Sequence, residues 1–119
     1  MPNPVVHFEI ISRDAKRLQR FYSRIFGWKI DAKNPMKYGM VDTKSPKRSL
    51  SGGIGAPMGR RRGWLTFYIG VKNIKAVLKR IERAGGRIAM PITEVPGGPT
   101  IAQFFDPAGN RIGLVEVGG

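Results

Sequence analysis

Two stretches of this chain repeat each other at a fixed distance. Phe8 and Phe67, Ile10 and Ile69, and Leu18 and Val77 are each 59 positions apart, and the same offset sets Asp14 against Asn73. A repeat of this length requires one fold unit to be built twice. Each copy opens on a run with period two, in which Val6, Phe8 and Ile10 point one way and Val5, His7 and Glu9 the other. Each then changes to period 3.6. In the first copy Leu18, Phe21, Tyr22, Ile25 and Phe26 form one helical stripe, with Arg13, Lys16, Arg17, Arg20 and Arg24 around the other side. In the second copy Ile74, Val77, Leu78, Ile81 and Ala84 do the same.

The predicted elements are a strand over 5–10, a helix over about 14–26 capped by Asp14 and stopped by Gly27, and strands over 28–32, 38–43 and 50–54. Gly52 and Gly53 weaken the last of these. Residues 55–63 shift to Gly, Pro and the triplet Arg60-Arg61-Arg62 and read as a basic linker. A strand over 64–70, a helix capped by Asn73 and closed by Gly85-Gly86, and strands over 87–91, 100–105 and 111–117 follow. The last two are joined by Asp106-Pro107-Ala108-Gly109-Asn110, whose residues suit a hairpin turn. The order is β-α-β-β-β twice, an α+β chain with a first module over 4–55, a linker over 56–63 and a second module over 64–117. In each half one sheet face buries its helix. The other faces, with Val5, His7 and Glu9 or with Trp64, Thr66 and Tyr68, are too mixed for a dry core and are expected inside a cup-shaped mixed sheet.

Bulk composition narrows the function. No cysteine is present, which excludes disulfides, thiolate metal sites and a thiol nucleophile. No apolar run approaches the roughly 20 residues of a membrane span, and Met1-Pro2-Asn3-Pro4 does not read as a signal peptide. A cytoplasmic protein without membrane partners is the expectation. The net charge is +13, with 21 Lys and Arg against 8 Asp and Glu, so the partners should be anionic. The bases run from Lys44, Lys47 and Arg48 to Arg60-Arg61-Arg62 with no acid among them. Arg62 to Ile69 matches the start of an RNA-recognition strand only in part, which leaves nucleic acid as a weak, secondary partner.

Three groups of residues carry chemistry. His7 is the single histidine, a cavity residue, ligand or general base. Glu116 shares a strand face with Ile112 and Leu114, where a carboxylate needs a partner if buried, and its pKa there could suit a base. Glu9, Trp64, Thr66 and Tyr68 are candidate substrate contacts, and Trp28 is a further aromatic that could line a pocket.

The residues Val5-Val6-His7-Phe8-Glu9-Ile10, Phe21-Tyr22 through Phe26-Gly27-Trp28, and Phe105-Asp106-Pro107 through Gly109-Asn110 to Glu116 resemble the vicinal oxygen chelate superfamily. This is the group of glyoxalase I, bleomycin-resistance proteins and extradiol dioxygenases. The resemblance covers nearly the whole chain. It implies paired βαβββ modules, a homodimer, and a concave cavity for a small molecule, with His7 and Glu116 as catalytic or metal-binding residues. Metal-dependent members draw ligands from the first and last strands of both modules. Here Thr66 stands where a histidine often does, and residues 50–54 offer no His, Asp or Glu. The expectation is therefore an incomplete site with no tightly bound cofactor, at most a weakly held divalent ion. The implied activity is a lyase or isomerase related to lactoylglutathione lyase, acting on an anionic or carbonyl-bearing metabolite. The alternatives are a metal-free, resistance-type binding protein and, third, a nucleic-acid or polyanion binder.

Overall fold

The computed structural model describes residues 2–43 and 49–118. The bases read at Lys44, Lys47 and Arg48 lie outside the described residues. The elements are β1 (Val5–Ser12), α1 (Ala15–Phe26), β2 (Lys29–Asp31), β3 (Gly39–Asp42), β4 (Gly52–Gly55), β5 (Gly63–Val71), α2 (Ile74–Arg83), β6 (Arg87–Glu94), β7 (Thr100–Phe105) and β8 (Arg111–Glu116). This is the expected mixed sheet with two helices interleaved among the strands. Two compact units form: His7–Leu65, and Thr66–Gly119 together with Met1–Val6.

In the His7–Leu65 unit the strand order is β2-β3-β4-β1. β4 runs parallel to β1, pairing Phe8 with Gly52 and Ile10 with Ile54, while β3 is antiparallel to both β2 and β4. Val41 and Ile54 are buried on the face that α1 covers, and Gln19 of α1 donates to the Ile54 carbonyl at 2.7 Å. Gly27 ends α1 at φ 70°, a left-handed conformation that glycine adopts without a Cβ penalty. Asp14 differs from expectation. Its side chain makes no cap hydrogen bond and sits instead 3.7 Å from Arg17. The apolar stripe of α1 is only partly used. Ala15 is buried, but Phe21, Ile25 and Phe26 remain 51%, 56% and 58% exposed. Tyr22, Phe26, Trp28 and Phe8 form a chain of ring contacts along its lower end.

The second unit repeats the plan in the order β5-β8-β7-β6, with β8 parallel to β5 and the other pairs antiparallel. Its core is more complete: Val71, Ile74, Leu78, Ala102 and Leu114 are buried together, with Val77 and Ile81 against them. Asn73 caps α2 as expected, accepting from the Ala76 amide at 3.0 Å. Asp106 organises the β7–β8 turn, accepting from the Ala108 and Asn110 amides and the Asn110 side chain. These bonds lower its pKa, the Asn110 side-chain bond most.

The contrast between the helices yields a prediction. Leu114→Ala removes a side chain that is 1% exposed and should cost about 2–5 kcal/mol in denaturant unfolding. Phe21→Ser on the half-exposed flank of α1 should cost no more than about 1 kcal/mol.

Candidate functional site

Alternation along β1 puts His7, Glu9 and Ile11 on the face opposite the α1 side. In an ordinary strand partner, side chains would fill the space above them. β4 instead offers glycines, and Tyr38 lies flat across them. A Cβ on Gly53 would fall 1.9 Å from the Tyr38 ring, and one on Gly55 would fall 2.6 Å from it. The two glycines therefore seat an aromatic ring rather than merely loosen a strand. Asn34 holds Tyr38 from below, donating to its carbonyl at 2.6 Å and accepting from its amide at 2.9 Å.

Seated there, Tyr38 joins the two titratable residues of β1. Its hydroxyl donates to Glu9 Oε1 at 3.0 Å and lies 2.8 Å from His7 Nε2. The Trp64 indole donates to Glu9 Oε2 at 2.7 Å. Glu9 is only 7% exposed, so both carboxylate oxygens are held by donors where water is scarce. With Glu9 ionised and Tyr38 donating to it, the Tyr38 hydroxyl is left to accept from Nε2–H, and that is the tautomer assigned to the neutral imidazole. Burial lowers the His7 pKa from 6.5, which favours that neutral form.

The second unit also has a polar face. Thr66, Tyr68, Gln103 and Arg111 lie on the side away from Leu114 and α2. Gln103, fully buried, donates to the Tyr68 hydroxyl at 2.8 Å and accepts from Arg111 Nη1 at 2.6 Å. The Thr66 hydroxyl donates to the Arg111 carbonyl at 2.6 Å. Arg111 and Arg87 both lie over the Phe105 ring, at 4.9 and 5.1 Å from its centre. Gly113 makes this packing feasible, since a Cβ there would fall 2.4 Å from the Tyr68 ring.

Of the expected site residues, the His7–Leu65 unit brings together His7, Glu9 and Trp64, while the second unit brings together Thr66 and Tyr68. Glu116 is placed elsewhere. It shares the face of Leu114, as its spacing requires, and stands exposed at the end of β8. There its Oε1 lies 3.5 Å from the Ile74 amide at the start of α2, where a negative charge is favoured by the helix dipole. The carboxylate avoids the cost of burial by leaving the sheet interior. The strand residue at the level of Tyr68 and Gln103 is Gly113, not Glu116. Trp28 lines a groove of about 550 Å³ on the α1 side with Phe8, Ile10, Leu50 and Leu65, apart from the His7 network.

Tyr38, Gln103 and Arg111 were not singled out by sequence reasoning. Gln103 had a visible signal, a lone polar side chain inside the apolar run 101–105. Arg111 alternates with Gly113 and could have been placed by the same period-two argument. Tyr38 had no local signal, because its role depends on glycines fifteen and more positions away.

The donors do not fit a resident divalent ion well. Among the described residues no three His, Asp or Glu side chains gather, and the Glu9 oxygens accept from a hydroxyl and an indole. The set suits hydrogen bonding and proton transfer better than ligation.

Comparison with known proteins agrees with this architecture. Residues 5–114 match the Glyoxalase/Bleomycin resistance protein/Dioxygenase superfamily. The chain belongs to that family. CFP32 of Mycobacterium tuberculosis is 27% identical over 113 residues, covering 89% of this chain and 42% of CFP32. The anthracycline biosynthesis protein DnrV of Streptomyces peucetius is 28% identical over 124 residues, covering 91% of this chain and 45% of DnrV. The chain thus spans less than half the length of these two relatives. Among solved structures, methylmalonyl-CoA epimerase from Mycobacterium tuberculosis superposes with a TM-score of 0.68 at 16% identity, over 97% of this chain and 88% of the epimerase. A superfamily member from Vibrio splendidus gives 0.61 at 16% identity, over 97% of this chain and 98% of that one. At these identities the structural likeness is one of fold.

Two outcomes test the His7 network. Tyr38→Phe deletes the hydroxyl shared by His7 and Glu9 and should cost about 1–3 kcal/mol for each polar group left without that partner, read by urea unfolding. Because the folded pKa of His7 lies below 6.5, the unfolded chain binds more protons as pH falls through that value. The His7 contribution to stability should therefore be full above pH 6.5 and decline below it, levelling off once pH passes the folded pKa. His7→Gln should flatten that slope, and the titration of the single histidine by NMR should show the lowered midpoint directly.

Proposed function

We propose that this protein binds a small, anionic, carbonyl-bearing metabolite and moves a proton on it, as an isomerase or lyase, with His7 as the proton-accepting group. The observation that carries this reading is the His7–Tyr38–Glu9 relay. In the tautomer with Nε2–H donated to Tyr38 and Tyr38 donating to Glu9, Nδ1 would be the proton-accepting nitrogen. A proton taken from a carbon next to a carbonyl would make His7 an imidazolium, whose charge the buried Glu9 carboxylate stabilises through Tyr38. The carbon is left as an enolate, and return of the proton to a different face or atom completes an isomerisation.

No tightly held metal forms part of this proposal. Stoichiometric Zn²⁺, Ni²⁺ or Fe²⁺ retained through dialysis and lost in His7→Ala would overturn that point.

The test is a panel of ligands with two readouts. The probes are the hemithioacetal of methylglyoxal and glutathione, and methylmalonyl-CoA, chosen because solved structures of this fold include the epimerase for the latter. Solvent deuterium exchange into bound substrate should be followed by NMR, and binding by calorimetry. His7→Gln should abolish exchange while weakening binding by less than about tenfold, the pattern of a group acting in the chemical step. Binding without exchange in the unmodified protein would favour the second reading, a metal-free binding protein of the resistance type.

The homodimer expected from the family belongs to the same proposal, supported by the exposed edge strands β2 and β6 and by the half-exposed flank of α1. Light scattering at micromolar concentration should give a dimer mass. A clean monomer at high concentration would remove that element.

A further inference from the structure

The positive charge of this chain is unevenly divided. The His7–Leu65 unit carries 14 Lys and Arg against 4 Asp and Glu, whereas the remaining residues carry 7 against 4. Of the net +13, the first unit therefore holds +10. Its four acids are Glu9, buried, and Asp14, Asp31 and Asp42.

The structure gathers much of this charge. Arg17, Arg20 and Arg24 are exposed on α1 at the spacing i, i+3, i+7, which puts them along one side of the helix. They extend over about 10 Å of helix axis, the axial length of about three nucleotides of one strand of a duplex. Arg13, in the turn before α1, donates from Nη2 to the Arg60 carbonyl at 2.7 Å and from Nε to the Arg61 carbonyl at 3.3 Å. A cation here binds the backbone of a segment that itself carries Arg60, Arg61 and Arg62. Like charges are held together despite mutual repulsion, and all three loop arginines remain exposed. Gly63 completes the close approach, since its φ is 127° and a Cβ there would meet the Ile11 carbonyl at 2.0 Å.

We propose that this arginine ridge and loop form an interaction surface for the phosphodiester backbone of a nucleic acid, read without sequence preference. Seven arginines make up the ridge, turn and loop named above, with exposed Lys16 beside them and Asp14 3.7 Å from Arg17. The planar guanidinium fork matches phosphate oxygens in a way a point charge does not.

The experiment measures fluorescence anisotropy of a short labelled DNA duplex, and its single strand, between about 50 and 200 mM salt. Arg17→Gln/Arg20→Gln/Arg24→Gln and Arg60→Gln/Arg61→Gln/Arg62→Gln should each weaken binding more than tenfold at low salt. Each should also lower the salt slope by about one for every phosphate that a removed arginine had neutralised. Lys75→Gln/Lys79→Gln/Arg83→Gln removes the same charge from the exposed side of α2 and should change affinity less than threefold. The arginine-to-lysine version of the loop triple should retain much of the salt slope, and unchanged thermal unfolding shows that each variant folds. Equal losses from the α2 variant would reduce the effect to net charge and overturn the proposal, as would no duplex or single-strand binding at low salt. Capture by phosphatidylserine vesicles in preference to the oligonucleotides, lost in the loop variant, would overturn it in favour of a lipid surface.

Discussion

The buried carboxylate of Glu9 is the group around which the His7–Leu65 unit is arranged. An ionised carboxylate taken from water without partners would cost far more than one side chain can return. Here both oxygens accept strong donors, the Tyr38 hydroxyl and the Trp64 indole. Each donor depends on something else. Tyr38 can reach Glu9 only because Gly53 and Gly55 leave a bare strand beneath its ring, and because Asn34 fixes its backbone. Replacing any one of these parts would leave charge or polar surface exposed to a low-dielectric interior, so the network is best understood as one cooperative element.

The strand pairing explains why the glycines fall where they do. Glu9 pairs with Gly53 across the β1–β4 ladder, and Tyr68 pairs with Gly113 across β5–β8. In both units, then, the parallel neighbour of the opening strand presents a glycine on the polar face, and a tyrosine ring lies over it. The tyrosines come from different places, one from a loop and one from the strand itself. What the two halves share is a space created by glycine at the centre of a four-stranded sheet. Their sequences fill that space by separate routes.

The period-two and period-3.6 patterns made the opening strands and both helices legible, because burial on one face leaves a direct imprint on residue order, whereas β4 is mostly glycine and β6 runs past the expected end at Pro91 to Glu94. The same alternation placed His7 with Glu9 and Thr66 with Tyr68 correctly. It also assigned Glu116 to the face of Ile112 and Leu114, which is the helix side. Strand position alone does not say which face meets water, and at the end of β8 the carboxylate emerges beside the start of α2. Tyr38 was invisible for another reason. Its contacts join residues 7, 9, 34, 38 and 53, brought together only by tertiary structure. The incomplete burial of Phe21, Ile25 and Phe26 was hidden as well, since periodicity shows that a helix is amphipathic without showing how much of its apolar side a sheet will cover.

A duplicated plan need not preserve duplicated chemistry. Position 7 is an imidazole and its repeat-mate at 66 a hydroxyl; position 9 is a carboxylate and its mate at 68 a phenol. The His7–Leu65 unit thus holds a titratable relay, in which protons can change places along hydrogen bonds already formed. The second unit holds Thr66, Tyr68, Gln103 and Arg111, which offer hydroxyl, amide and guanidinium donors. Each unit is therefore equipped separately: a tyrosine seated on glycine is common to both, and the group it bonds to is a carboxylate in one and an amide in the other.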